Sequence, residues 1–163
     1  MVQENQATIT FIQLMKEDLG IFRLLPNDGQ VPDFHTGQFI TIGLPNPTDN
    51  NKVVRRAYSI ASHPENKKFI ELVIRWVRKP LPGRLTTLLF NAKEGDEIGW
   101  IKPAGAALQI NEKLPDGSRD ERRIVCVGGG TGLAPFVSFA QHLHVINDKR
   151  EIVVLHDASY VDE

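Results

Sequence analysis

Ile124-Val125-Cys126-Val127-Gly128-Gly129-Gly130-Thr131-Gly132-Leu133-Ala134-Pro135 is the stretch whose reading decides the fold. Four apolar residues run into a glycine cluster. Beyond it, Leu133 to Ile146 carries apolar residues at helical spacing, and Ile152 to Leu155 is again apolar. Strand, glycine turn, helix and strand in that order predict one βαβ unit of a parallel sheet. Glycines let such a turn take positive φ and let a ligand approach the backbone closely. The helix start behind them offers free N–H groups and a positive dipole end to a phosphate. Thr131 adds a hydroxyl, and Pro135 fits a first helical turn, where its missing N–H costs little. The spacing Gly128-x-Gly130 is present, but Leu133 holds the place of the third fingerprint glycine. No Gly-Lys-Ser/Thr follows, so this is not a P-loop. Taken alone, the turn fits either a nucleotide site or a tight ligand-free bend.

Upstream, Asn111 to Glu121 is polar and contains Pro115, Asp116, Gly117 and Ser118. It reads as a surface loop and as the domain boundary. The expected division is 1–115 for a first domain and 121–163 for a second. The first hundred residues read as short strands with turns. Ala7 to Leu14, Gly20 to Leu25, Gln38 to Leu44, Arg56 to Ser62 and Phe69 to Val77 are predicted strands. Pro26-Asn27-Asp28-Gly29, Pro45-Asn46-Pro47 and His63-Pro64-Glu65-Asn66 are the turn signals around them. Gly83 to Ala92, with Leu85, Leu88 and Leu89, predicts a short helix. Glu97 to Lys102 and Ala106 to Ile110 read as two more strands. Strands this short and this closely spaced suggest an antiparallel barrel or sandwich. A single βαβ is too little for a doubly wound sheet, so the sequence reads as part of a longer protein.

Composition bounds the function. The chain has 163 residues, 41% hydrophobic and 24% charged, with formal net charge −1. That is a globular balance and argues against general nucleic-acid binding. No window approaches the length of a membrane span, and the polar N-terminus does not read as a secretory signal; a cytoplasmic protein is expected. The one cysteine, Cys126, rules out an internal disulfide or a cysteine-held iron–sulfur cluster, and no metal site is expected. In its apolar run Cys126 reads as a buried, inert thiol. Nine basic residues lie between Lys52 and Arg84: Lys52, Arg55, Arg56, Lys67, Lys68, Arg75, Arg78, Lys79 and Arg84. Within that span only Glu65 and Glu71 oppose them. Such a block either attracts an anion or acidic partner or is a set of solvated strand edges.

Arg56-Ala57-Tyr58-Ser59 lies on a predicted strand. Alternation puts Arg56 and Tyr58 on one face, Ala57 and Ser59 on the other. A tyrosine stacks on a flat ring, an arginine holds a pyrophosphate bidentately, and a serine bonds a ring nitrogen.

In chain order, Gly37-Gln38-Phe39, Arg56-x-Tyr58-Ser59, Gly83-x-x-Thr86, Gly95-Asp96, Pro103-x-Gly105 and the glycine turn ending in Ala134-Pro135 resemble the ferredoxin–NADP reductase family. The resemblance runs from about Ala7 to Glu163. The Arg-Ala-Tyr-Ser wording and the ending Val154 to Tyr160 are similar to the bacterial ferredoxin (flavodoxin)–NADP reductases; Ser159 departs from them, where arginine is more usual. The resemblance implies a fold of class β + α/β: a six-stranded antiparallel FAD-binding barrel followed by the start, one βαβ, of a doubly wound NAD(P)-binding domain. It implies hydride transfer from NAD(P)H to FAD, then single electrons to ferredoxin or flavodoxin. Arg56 would contact the flavin pyrophosphate or ribityl chain, with Ala57 beside it on the strand. Tyr58 would stack on the isoalloxazine. Ser59 would sit near the flavin nitrogen that accepts hydride; Tyr58 and Ser59 are thus the residues closest to the chemistry. Val73, Ile74 and Arg75 would offer backbone and side-chain contacts. Gly83, Arg84, Leu85 and Thr86 would bind the pyrophosphate through a helix start and a hydroxyl. Gly130, Thr131 and Gly132 would face the nicotinamide nucleotide, NADP or NAD. His35, His63 and His156 are given no catalytic part. A monomer is expected. The competing readings are a cytochrome b5 reductase-like or oxygenase-type electron-transfer reductase, and a flavin-free barrel that binds a protein.

Overall fold

The structure, a computed structural model, describes residues 4–158. Met1 to Gln3 and Ser159 to Glu163, including the Ser159 departure, lie outside the described residues. Six strands form one antiparallel sheet: β1 (Asn5–Lys16), β2 (Leu19–Pro26), β3 (Phe39–Asn46), β4 (Lys52–Ser59), β5 (Ile70–Arg75) and β6 (Glu97–Ala104). Their order across the sheet is β4-β3-β6-β1-β2-β5. The two outer strands then meet. Just past β4, Ile60 bridges Leu72 of β5, and the Ala61 N–H donates to the Glu71 carbonyl at 2.8 Å. That closure removes most of the open edge that would invite pairing with other chains.

Alternation builds the interior. In β5, Ile70, Leu72 and Ile74 point inward and are at most 1% exposed, while Glu71, Val73 and Arg75 face out. Ile9, Phe22, Leu24, Ile40, Ile42 and Ile98 join them in one core. A short helix, α1 (Arg84–Phe90), closes one end by inserting Leu85 and Leu89.

A second, smaller core lies beyond residue 120. Strand β7 (Ile124–Gly129) runs into a 3-10 turn (Gly130–Leu133), then α2 (Ala134–Val145), then β8 (Ile152–Asp157), parallel to β7. Cys126, Phe136 and Phe139 are its buried centre. Cys126 is free and 5% exposed, and burial pushes its thiol up, as expected of an inert one.

Several sequence expectations need correction. Ala106–Ile110 is not a strand. Gly105, at φ +102°, turns the chain after β6, and the following residues lie over the Gly37 turn instead of pairing. There a Cβ on Gly37 would fall 1.9 Å from the Leu108 carbonyl oxygen. Strand β3 continues through Pro45, because β6 pairs with β3 only as far as Gly43 and leaves that flank without a ladder to break. Strand β4 begins at Lys52, four residues earlier than expected, because Asn50 and Asn51 both adopt positive φ and complete a tight hairpin. Gly128 and Gly129 belong to β7, so the bend begins only at Gly130, with φ +51°. Gly128 is there for packing: a Cβ on it would meet the Phe136 ring at 2.8 Å.

Candidate functional site

The residues singled out from the sequence gather where β4, β5, α1 and the 3-10 turn approach one another. Strand β4 contacts α1 and β5, and the 3-10 turn contacts β5. Register sets the faces. Tyr58 stands opposite Ile40, and Arg56 opposite Ile42. Cross-strand partners share a face, so Arg56 and Tyr58 lie in one row, with Ala57 and Ser59 in the other. Tyr58 packs one side against the barrel core and stays partly exposed on the rest. Burial pushes its phenol up to about 12, although the nearby Arg56 charge pulls the other way. The phenol is therefore neutral at any physiological pH.

Arg56 is exposed and donates to its neighbour's carbonyl, that of Arg55, at 2.7 Å. It has no carboxylate partner among the described residues. That distinguishes it among the arginines of the basic block, since Lys52, Lys68 and Lys79 also lack a carboxylate partner among the described residues. Arg55, Lys67, Arg75, Arg78 and Arg84 face Glu4, Asp33, Asp18, Glu17 and Asp49 respectively. Most of the charge surplus seen in sequence is thus answered by acids from other segments, and the Arg56 guanidinium is left beside Tyr58.

Helix α1 begins at Gly83 without a side-chain cap. Gly83 is required by space: a Cβ would lie 2.5 Å from the Thr86 hydroxyl. That hydroxyl donates to the Gly83 carbonyl at 3.2 Å and is buried, so in this arrangement its proton is not free for a ligand. Arg84 is largely exposed, its guanidinium 3.9 Å from Asp49. Two of the expected side-chain contacts, those of Ile74 and Arg75, find other surroundings in the fold. Ile74 and Leu85 are 0% and 2% exposed inside the barrel, so only their backbone groups could face a ligand. The Arg75 guanidinium is engaged by Asp18 of the β1–β2 turn at 3.3 Å. Val73 remains on the outward row of β5.

At the glycine turn, Thr131 is partly exposed and Gly132 is exposed. Sequence reasoning set His156 aside, yet its Nε2 lies 3.0 Å from the Gly130 carbonyl oxygen and ties β8 to the bend. Trp76 was also missed. Its indole stacks on Phe90 with centroids 5.5 Å apart, donates to the Thr87 hydroxyl at 3.1 Å, and lies under the Arg78 guanidinium. It thereby fastens α1 to the end of β5. Its place directly after Arg75 and before a Pro-rich loop was the available signal. A cavity of about 770 Å³ lies elsewhere, between the loop before β3, Glu65, the 109–119 loop and the end of α2. The Arg56–Tyr58 row is instead an open surface.

An aromatic ring and a guanidinium without a carboxylate partner on β4, an uncapped helix start on the neighbouring α1 and a glycine bend next to β5 are groups that stack on flat rings and bond phosphates. Residues 6–108 match the family described as the oxidoreductase FAD-binding domain, and the chain belongs to that family. Among curated relatives, the flavodoxin/ferredoxin–NADP reductase of Rhodobacter capsulatus is 32% identical over 163 residues, covering 99% of this chain and 55% of that protein. The reductase component of propane 2-monooxygenase from Mycolicibacterium goodii is 26% identical over 91% of this chain and 39% of its own length. The ferredoxin NADP+ reductase of Neisseria gonorrhoeae, solved with FAD and NADP, shares the fold at TM-score 0.78 and 20% identity, over 99% of this chain and 60% of that one. The chain thus spans about half the length of the curated ferredoxin reductases it matches. Among the described residues, no helix is long and apolar enough to cross a membrane.

Proposed function

We propose that the chain is the flavin-holding part of an oxidoreductase that takes electrons from NADPH or NADH and passes them through FAD to ferredoxin or flavodoxin. The observation that carries this reading is the unpaired Arg56 guanidinium beside the half-buried Tyr58 ring. A guanidinium left without an acid, where the block's other arginines each face one, is suited to a phosphate, and the adjacent ring to a flat heterocycle. In the same reading, residues 1–115 form the flavin domain, and residues 121–163 begin the nucleotide domain. The cytoplasmic location and monomeric state expected above belong to it too.

When bound, FAD supplies two-electron and one-electron chemistry that no side chain here possesses. The protein's part is to bind and to orient. Arg56 neutralises phosphate charge. Tyr58, kept neutral by burial, offers an uncharged ring face and leaves no competing proton donor of low pKa. Ser59, the last residue of β4, presents a hydroxyl at the strand end. The N–H groups of Arg84, Leu85 and Thr86 at the uncapped α1 start would hold the pyrophosphate, and Gly83 lets that start pack closely. The bend at Gly130 to Gly132, with Thr131, would receive the nicotinamide nucleotide beside β5.

The relative from Mycolicibacterium goodii supports a second reading, in which the acceptor is an oxygenase component instead. Presenting reduced protein with either acceptor and timing its reoxidation separates the two. The flavin site itself is tested by FAD affinity. Arg56→Gln should weaken FAD binding about 10- to 100-fold, the range for a lost charge-assisted contact. Lys68→Gln, an exposed basic change in the same block, should alter it less than about twofold. Equal effects from both variants would defeat the assignment.

A further inference from the structure

Glu65 lies in the loop after β4, far in sequence from α2, yet its carboxylate joins the two. One oxygen is 2.7 Å from Nδ1 of His142 on α2, and the other is 3.0 Å from Nδ1 of His63 in its own loop. Three residues upstream, a buried bond repeats the link: the Ser138 hydroxyl donates to the Ser62 carbonyl at 2.8 Å, with Ser138 0% and Ser62 2% exposed. The Ser62 hydroxyl in turn accepts from the Glu71 N–H of β5 at 3.1 Å. Ser138 and His142 are four residues apart, hence on one face of α2. The barrel therefore grips α2 at two successive turns.

We propose that Glu65 is a positioning residue, the centre of a clasp that holds α2 against the barrel through His142. The clasp also fixes the chemistry of both imidazoles. A carboxylate only accepts hydrogen bonds, so each Nδ1 must carry a proton. His63 and His142 are then both held as Nδ1–H tautomers when neutral. Burial pushes the Glu65 carboxyl up, but bonds from His63, its own N–H and His142 outweigh that and hold it below its ordinary range. It therefore stays ionised at neutral pH. The clasp itself does not depend on any flavin. Its consequence for function rests on the reading above: α2 begins directly after the Gly130–Leu133 turn, so fixing α2 fixes where that turn meets β5.

Long-range proton–nitrogen NMR of the 163-residue chain at pH 8 tests the clasp without any cofactor. His63 and His142 should show a protonated Nδ1 and a bare Nε2, and Glu65→Ala should shift both toward the Nε2–H form. In the same variant, α2 amides should exchange about threefold to tenfold faster, since the bonds are partly exposed. His142→Asn, whose amide nitrogen takes the place of Nδ1, should restore slow exchange that His142→Ala loses. If Glu65→Ala does not fold, the two His142 variants carry the test. Nε2–H tautomers in the unaltered chain, or exchange equal in His142→Asn and His142→Ala, would overturn the proposal. A chain that binds no flavin yet shows the tautomers and the rescue would keep the clasp and remove only its link to nucleotide placement.

Discussion

Tyr58 stands directly across the β3–β4 ladder from Ile40, so a partly exposed phenol shares its face with a side chain that is 0% exposed. The barrel wall supports one side of the ring and leaves the remainder exposed. The same support denies the phenolate its hydration, which is why burial pushes the phenol up to about 12.

Tyr58 should therefore titrate late. The chain has two tyrosines, Tyr58 and Tyr160. In a Tyr160→Phe background, the ultraviolet signature of phenolate should rise with a midpoint near 12, while circular dichroism reports a folded chain. The sign follows from linkage: a raised folded pKa contributes stability that is fully present below the free phenol's value of about 10 and lost as pH rises toward 12. A midpoint at about 10 in the folded chain would show that the ring is not supported as described.

Gly37 and Gly29 separate two causes of glycine requirement. Both have positive φ, +82° and +74°. A Cβ on Gly29 would meet nothing within 4 Å, whereas one on Gly37 would strike the Leu108 carbonyl. Gly29→Ala should cost about 1 kcal/mol, the conformational penalty alone. Gly37→Ala should cost about 2 kcal/mol or more, because the 105–110 segment must also move. Urea denaturation of both variants checks the order. Equal losses would mean that the segment after β6 does not pack on this turn.

How much of this was readable beforehand depends on the range of the interaction. Local periodicity exposed the six barrel strands, α1 and the βαβ, because alternating or helical apolar spacing is a property of neighbouring residues. The inward row Ile70, Leu72 and Ile74 was readable in the same way, and applying it would have kept the Ile74 side chain out of the ligand list. Ala106–Ile110 misled because its short apolar run looks like a strand, while what places it is the distant Gly37 turn. The Asp18–Arg75 and Asp49–Arg84 pairs, which changed the meaning of the basic block, join residues brought together only by folding. So does the Glu65–His142 contact, spanning 77 positions. The order of Arg56-x-Tyr58-Ser59, Gly83-x-x-Thr86 and the glycine turn carried the family, but no spacing rule could show that the Thr86 hydroxyl is occupied by Gly83.

The claim on which the account depends is that the Arg56–Tyr58 row holds FAD. The direct measurement is to express the 163-residue chain, mix it with FAD, remove free cofactor by gel filtration, and record the visible spectrum before identifying any acid-released nucleotide by chromatography. The account predicts a yellow protein carrying FAD at close to one equivalent, with the yellow colour markedly reduced in Arg56→Gln. A folded, colourless chain that retains no FAD under these conditions would contradict it.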